Sequence, residues 1–422
     1  MRVGIVTQYI DESEFLSLFK PGYRVYVGAY TNEPKGLIEL LAADGQKANG
    51  VTFIQQPLFI NQIDLSSLAP HSRMTTFFMT PVLRKSLSEG RINYIPMQMR
   101  AVYDYIQECS LDIALLQVAK DINGDLRFGP GMDFVEAALN GAERVVLQVN
   151  TEITAPIGCP ALDMNAPYLL LERPSPLITY PKANLDWVDR EIAKFVSSII
   201  KDGDCLQTGV GKIPGAILSN LTNKNDLGFH GGLMEDGAMK LVKSGNLNGK
   251  RKAVDNRKHI TGIALGSKEF LDWVAQERSI YFRGANYTHD SDVIRHLDNF
   301  VSINSAIEVD LFGQVNAEFV DGFQVSGTGG SVDFMRAAKL SKNGRSIVAM
   351  ASTARGGKIS RIVPRVEMVT ALRTDVDIII TEFGIARLKN TSWNDRAKKL
   401  IEIAHPKFRD ELHETFFSNK NQ

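Results

Sequence analysis

Short apolar runs rich in β-branched residues recur along the chain: YRVYVGAY, LDIALLQV, ERVVLQVN, DCLQTGVG, SIVAMAS and DVDIIITEFG. Each is closed by Gly, Asp or Thr, and helix-like stretches separate them. A near-continuous apolar run suits a strand covered on both faces, the situation of a parallel sheet sandwiched between helices. The expectation is an α/β protein whose working loops lie at the ends of its strands.

At 422 residues the chain exceeds the roughly 250 to 300 residues at which a single core stops growing, so two domains are expected. The stretch from Ala155 to Pro181 carries prolines at 156, 160, 167, 174, 176 and 181, which disfavour both helix and central strand and predict a linker. The segment after it, WVDREIAKFVSSII, has apolar residues at helical spacing and predicts an amphipathic helix that opens a second domain. The division expected is therefore 1–180 and 181–422.

Forty-eight basic residues balance 48 acidic ones, so no net field favours nucleic acid or an anionic membrane surface. The three cysteines, Cys109, Cys159 and Cys205, form no closely spaced pair, which points away from a disulfide framework or a cysteine metal site and toward a reducing compartment. Asp11, Glu12 and Glu14 interrupt the N-terminal stretch. It therefore lacks the apolar centre of a signal peptide, and a cytoplasmic location is expected.

Two glycine-rich turns stand out. Gln207, Thr208, Gly209, Val210 and Gly211 follow a strand-like run and precede a helix-like one, an arrangement in which backbone N–H groups can hold a phosphate. Pro214 and the lack of a suitable second strand speak against a dinucleotide fold. Thr328, Gly329 and Gly330 likewise precede a helix-like run and could form a backbone nest for an oxyanion. A plain tight turn explains the first equally well, and a hairpin or flexible loop the second. Gly356 and Lys358 suit a phosphate contact. Glu308 and Asp310 share one face of a strand, where a buried polar network is as natural a reading as catalysis. His405, before Pro406, reads as a cap.

In this order the segments QTGVGKIP, SINSAIEVDLFGQVNAE, SGTGGSVDF, SRIVP, TEFGIA and AHPKFRDEL resemble the acetyl-CoA hydrolase/transferase family of class I CoA-transferases, which includes 4-hydroxybutyrate, butyrate and acetate CoA-transferases. The resemblance extends more weakly through the first half. It implies two CoA-transferase-type open-sheet α/β domains of the NagB/RpiA kind with an active-site cleft between them. It also implies acyl-CoA and a small carboxylic acid as substrates, no metal and no tightly bound cofactor. In the implied ping-pong reaction an enzyme carboxylate attacks the thioester to give a mixed anhydride, and CoA then forms a glutamyl thioester. A homodimer is the commonest closed assembly and is expected here.

The pattern breaks at one point. The resemblance places a His-x-Glu-Met stretch after the first glycine turn, whereas the chain reads His230-Gly231-Gly232-Leu233-Met234-Glu235, with Gly232 where the nucleophile belongs. Three carboxylates could replace it: Glu235, Glu308, or Glu33 in the turn Asn32-Glu33-Pro34. Glu33 has a second explanation as an acidic residue at a helix start. His289 could orient an acyl carboxylate or activate water. CoA transfer is the leading expectation, with acyl-CoA hydrolysis or silent CoA binding as alternatives that the missing glutamate leaves open.

Overall fold

The computed structural model describes residues 7–182, 184–209 and 211–417. Val210 of the first glycine turn and the first six residues of the N-terminal stretch lie outside that range. The chain divides into two compact units, Met1–Pro181 with Thr261–Tyr287, and Lys182–Ile260 with Thr288–Gln422. Residues 261–287, read from the sequence as part of the second domain, pack with the first unit.

The first unit is built on a nine-stranded sheet. Its spatial order runs Gln8–Tyr9, Tyr168–Glu172, Ala142–Val149, Leu111–Lys120, Arg24–Val27, Thr52–Ile54, Arg73–Thr76 and Ile92–Tyr94, and Leu126–Phe128 pairs antiparallel with Leu111–Lys120. All other pairings are parallel. The strand Leu111–Lys120 is buried along almost its whole length, as a central parallel strand must be. Val25, Val27, Leu37, Leu41, Phe53 and Leu115 fill the core on one side. The stretch 155–181 does not act purely as a linker, because it supplies the strand Tyr168–Glu172. Pro167 and Pro174 flank that strand and none lies inside it, so no ladder N–H is lost.

The second unit carries a six-stranded sheet ordered Gly228–Phe229, Cys205–Thr208, Phe300–Asn304, Arg345–Ala349, Ile378–Thr381 and Gly384–Arg387. It is parallel except for the last hairpin. The expected helix spans Trp187–Ile199. Asp186 caps it by accepting from the Asp189 N–H at 3.0 Å while Asp189 accepts from the Asp186 N–H at 3.1 Å, a reciprocal cap that satisfies two otherwise orphaned donors. Ile192, Ala193 and Val196 form its buried face. Among the described residues no helix is long and apolar enough to cross a membrane.

All six apolar runs singled out in the sequence are strands of these two sheets. The fold class is α/β, and each sheet sends its strands toward a loop cluster that contains the residues of interest.

Candidate functional site

In the second unit, the strand Cys205–Thr208 ends at the first glycine turn and Gly211 opens the helix Lys212–Ser219. Gly211 has φ +129, a conformation that side chains resist. A β-carbon at Gly209 or Gly211 would meet no atom within 4 Å, so this turn borders open space. The helix start has no side-chain cap, and Pro214 removes one of its early donors. Gln207 is turned inward, exchanging amide hydrogen bonds with Asn304 at 3.4 and 3.3 Å. The buried Thr208 hydroxyl makes no hydrogen bond within the described structure.

Glu235 lies against the same helix. Its Oε1 stands 3.6 Å from the position a β-carbon on Gly215 would take, and this oxygen is buried with no hydrogen-bond partner among the described residues. Burial, reinforced by the neighbouring charge of Asp236, pushes its carboxyl up to about 8. A carboxyl largely kept from water, with one oxygen left without a donor, favours its neutral form.

The second glycine turn closes around His289. Gly329 has φ +55 and Gly330, at φ −96 and ψ 1, precedes the helix Ser331–Leu340 without a side-chain cap. Alternating left- and right-handed residues of this kind form a backbone anion nest. The His289 ring packs at a tilt against Phe334 with centroids 4.5 Å apart, and its Nδ1 lies 2.8 Å from the Thr288 hydroxyl. A β-carbon on Gly232 would stand 2.7 Å from His289 Cε1 and 2.9 Å from Nε2, and one on Gly330 would stand closer still to Nε2. The imidazole therefore fills the space that side chains at 232 and 330 would need. Burial holds its pKa down to about 3, so the ring is neutral at physiological pH.

The remaining candidates are held by contacts of their own. Glu308 accepts from Asn316 Nδ2 at 3.0 Å, and Asp310 accepts from the Phe312 and Gln314 N–H groups at 3.0 and 2.9 Å. Both belong to a hydrogen-bonded turn that a polar network accounts for. Gly356 and Lys358 sit at the exposed tip of the hairpin joining Thr353–Ala354 to Ile359–Ser360. His405 caps a short turn by accepting from the Lys407 N–H at 3.2 Å. Ser352 and Glu382 meet although no motif pointed to it: the Glu382 carboxylate accepts both the Ser352 N–H and its hydroxyl.

In the first unit, Glu33 follows the strand Arg24–Val27 and a one-turn helix Tyr30–Asn32. Tyr30 takes φ 63, a strained position held by Asn61, which accepts the Tyr30 N–H and donates to its carbonyl, both at 3.1 Å. Gln55 donates to Glu33 Oε1 at 3.2 Å. Burial raises the Glu33 carboxyl to about 7, against the opposing effects of Asn61, Gln55 and Lys35.

Comparison with known proteins gives this geometry a context. The N-terminal domain of the acetyl-CoA hydrolase/transferase family matches residues 6–158, and its C-terminal domain matches residues 266–416. The chain belongs to the acetyl-CoA hydrolase/transferase family. It is 35% identical to 4-hydroxybutyrate coenzyme A transferase of Clostridium kluyveri over 93% of each chain. It is 32% identical to butyryl-CoA:acetate CoA-transferase of Anaerostipes caccae over 94% of this chain and 93% of that one. Among solved structures, 4-hydroxybutyrate CoA-transferase of Porphyromonas gingivalis superposes with a TM-score of 0.81 at 31% identity, covering 97% of each chain. Acetyl-CoA hydrolases are also relatives, that of Yarrowia lipolytica being 27% identical over 72% of this chain and 66% of its own. The two family segments contain Glu33, His289, Glu308 and the second glycine turn, whereas the first glycine turn, Gly232 and Glu235 lie between them.

Proposed function

We propose that this protein moves coenzyme A between a short-chain acyl-CoA and a free carboxylic acid, with Glu235 as the carboxylate that receives the acyl group. The observation that carries the reading is the Glu235 carboxyl, whose Oε1 is buried without a hydrogen-bond partner among the described residues beside the helix that follows the first glycine turn. The relatives, several of them CoA-transferases, supply the reaction class.

The ionised Glu235 attacks the thioester carbonyl, the carbon–sulfur bond breaks, and CoA leaves as a thiolate, giving an acyl–glutamyl anhydride. The thiolate attacks the glutamyl carbonyl, releasing the first acid and forming a glutamyl-CoA thioester. The acceptor carboxylate attacks that thioester and expels the thiolate, which takes the acceptor's acyl group from the second anhydride and restores the glutamate. Thr328 to Gly330 supply N–H groups to the oxyanions. The first glycine turn, Gln207 to Gly211, receives the pyrophosphate, and Gly356 and Lys358 lie in the hairpin that contacts the nucleotide. Glu33 and Glu308, each already held by an amide, serve as positioning groups. A cytoplasmic homodimer is the proposed setting, in keeping with three buried free cysteines.

The test is mass spectrometry of the protein after acyl-CoA addition and hydroxylamine or borohydride trapping, together with CoA exchange over a panel of short-chain acids. A modified Glu235 and exchange abolished in E235Q support the reading. Because the neutral acid cannot attack, kcat/KM should rise with pH toward a plateau above about 8. Thiol release that needs no acceptor acid, with no modified glutamate, would instead mark a hydrolase.

A further inference from the structure

Two glycines far apart in sequence converge on one nitrogen. The β-carbon positions of Gly232 and Gly330 both point at His289 Nε2, and both glycines are only partly buried whereas His289 is 3% exposed. Any side chain at either position would have to displace the imidazole. Their lack of side chains thus makes room for the imidazole, whose Nε2 edge lies against both glycine backbones beside the second glycine turn.

Two contacts fix the ring. Phe334 supports one face, and the Thr288 hydroxyl fixes Nδ1 at 2.8 Å. His230 anchors that threonine through its carbonyl, with His230 Nε2 3.2 Å from Thr288 O. If the Thr288 hydroxyl donates to Nδ1, the neutral ring carries its proton on Nε2, which then lies beside the second glycine turn as a donor.

We propose that His289 is a catalytic residue whose Nε2–H donates a hydrogen bond to the thioester carbonyl oxygen as it becomes an oxyanion, beside the N–H groups of Gly329 and Gly330. No bond to histidine forms and its proton stays in place; the donor acts only on the charge that develops on the substrate. The inference rests on the proposed acyl-CoA chemistry and adds to it an explanation for glycine at 232. With the imidazole in that volume, the carboxylate nucleophile has to come from elsewhere in the chain. A neutral ring suits the role, since its proton remains on the ring through the physiological range.

The experiment compares wild type with H289F, which keeps a ring against Phe334, and H289A, which leaves a ring-sized hole. H289F should fold normally, bind acyl-CoA with little change in KM and lose about 10²- to 10³-fold in kcat, the usual effect of removing one oxyanion donor. Added imidazole should restore part of the H289A rate and none of the H289F rate. A folded H289F with wild-type kcat, or H289A unresponsive to imidazole, overturns the proposal while leaving the CoA-transfer reading intact. A wild-type protein inactive toward every acyl-CoA overturns that reading instead. In that case ¹⁵N-imidazole NMR with acetyl-dethia-CoA, an uncleavable ketone analogue, still decides. A shift of His289 Nε2 on binding supports the donor role, and an unmoved signal or no binding rejects it.

Discussion

The free carboxyl oxygen of Glu235 stands 3.6 Å from the place a β-carbon on Gly215 would occupy. This contact with the first turns of the helix Lys212–Ser219 is part of what keeps Glu235 dry, and it has a consequence for stability. With its folded-state pKa raised from the ordinary 4.5 to about 8, the native state binds a proton that the unfolded chain releases. The stabilisation is full below pH 4.5 and is lost as pH rises through 8, with a slope of at most about 1.4 kcal/mol per pH unit. E235Q, a permanent mimic of the neutral acid, should lack this slope. Glu33 shifts in the same direction but is present in both proteins, so thermal unfolding of the pair from pH 5 to 9 isolates Glu235. Parallel curves would show that Glu235 is ionised in the folded state.

Ser352 and Glu382 give a second test. The Glu382 carboxylate accepts the Ser352 N–H at 2.8 Å and the Ser352 hydroxyl at 2.6 Å, and both residues are buried. E382Q keeps an acceptor for the main-chain N–H and can donate to the hydroxyl in return, so it should be mild. E382L orphans a buried N–H and should cost about 1 to 3 kcal/mol more. Chemical denaturation of the two variants reads the difference, and equal stabilities would mean that the N–H finds another acceptor.

The strands were legible because burial on both faces of a parallel sheet writes a continuous apolar run into the sequence, as in Leu111–Lys120. Tyr168–Glu172 was hidden because Pro167 and Pro174 dominate its surroundings, although neither enters the ladder. The return of Thr261–Tyr287 to the first unit could not be read either, since local apolar pattern says that a segment is buried and not which sheet covers it. At the site, the glycine turns were visible as composition. What they enclose was not: the meeting of Gly232, Gly330 and His289 is a contact between distant segments, and a glycine looks the same in sequence whether it faces open space, as Gly209 does, or an imidazole.

Acid should act through the buried histidines. Burial lowers His289 from the usual 6.5 to about 3 and His259 to about 4. The unfolded chain therefore binds more protons than the native one between these values, and the corresponding stability is present above pH 6.5 and lost as pH falls toward 3. H289F removes one of the two contributions, so its melting temperature should fall less steeply than that of wild type between pH 6.5 and 4. An unchanged slope would mean that His289 is protonated in the native protein.

The three cysteines are free and buried. Burial raises the thiols of Cys109 and Cys159, and it pushes Cys205 up to about 11. Thiolate is the reactive species, so a buried thiol with a raised pKa is slow for two reasons: little of it is ionised and reagent does not reach it. Cys109 has the weakest protection, because Arg24 beside it favours the thiolate. With excess dithionitrobenzoate at pH 8, the folded protein should show almost no fast reaction, followed by Cys109 ahead of the other two, and all three should react at once in denaturant. Stoichiometric labelling of Cys205 in the native state would contradict this, because its strand lies inside the second sheet with neighbours on both edges and the reagent could reach it only if that sheet opened.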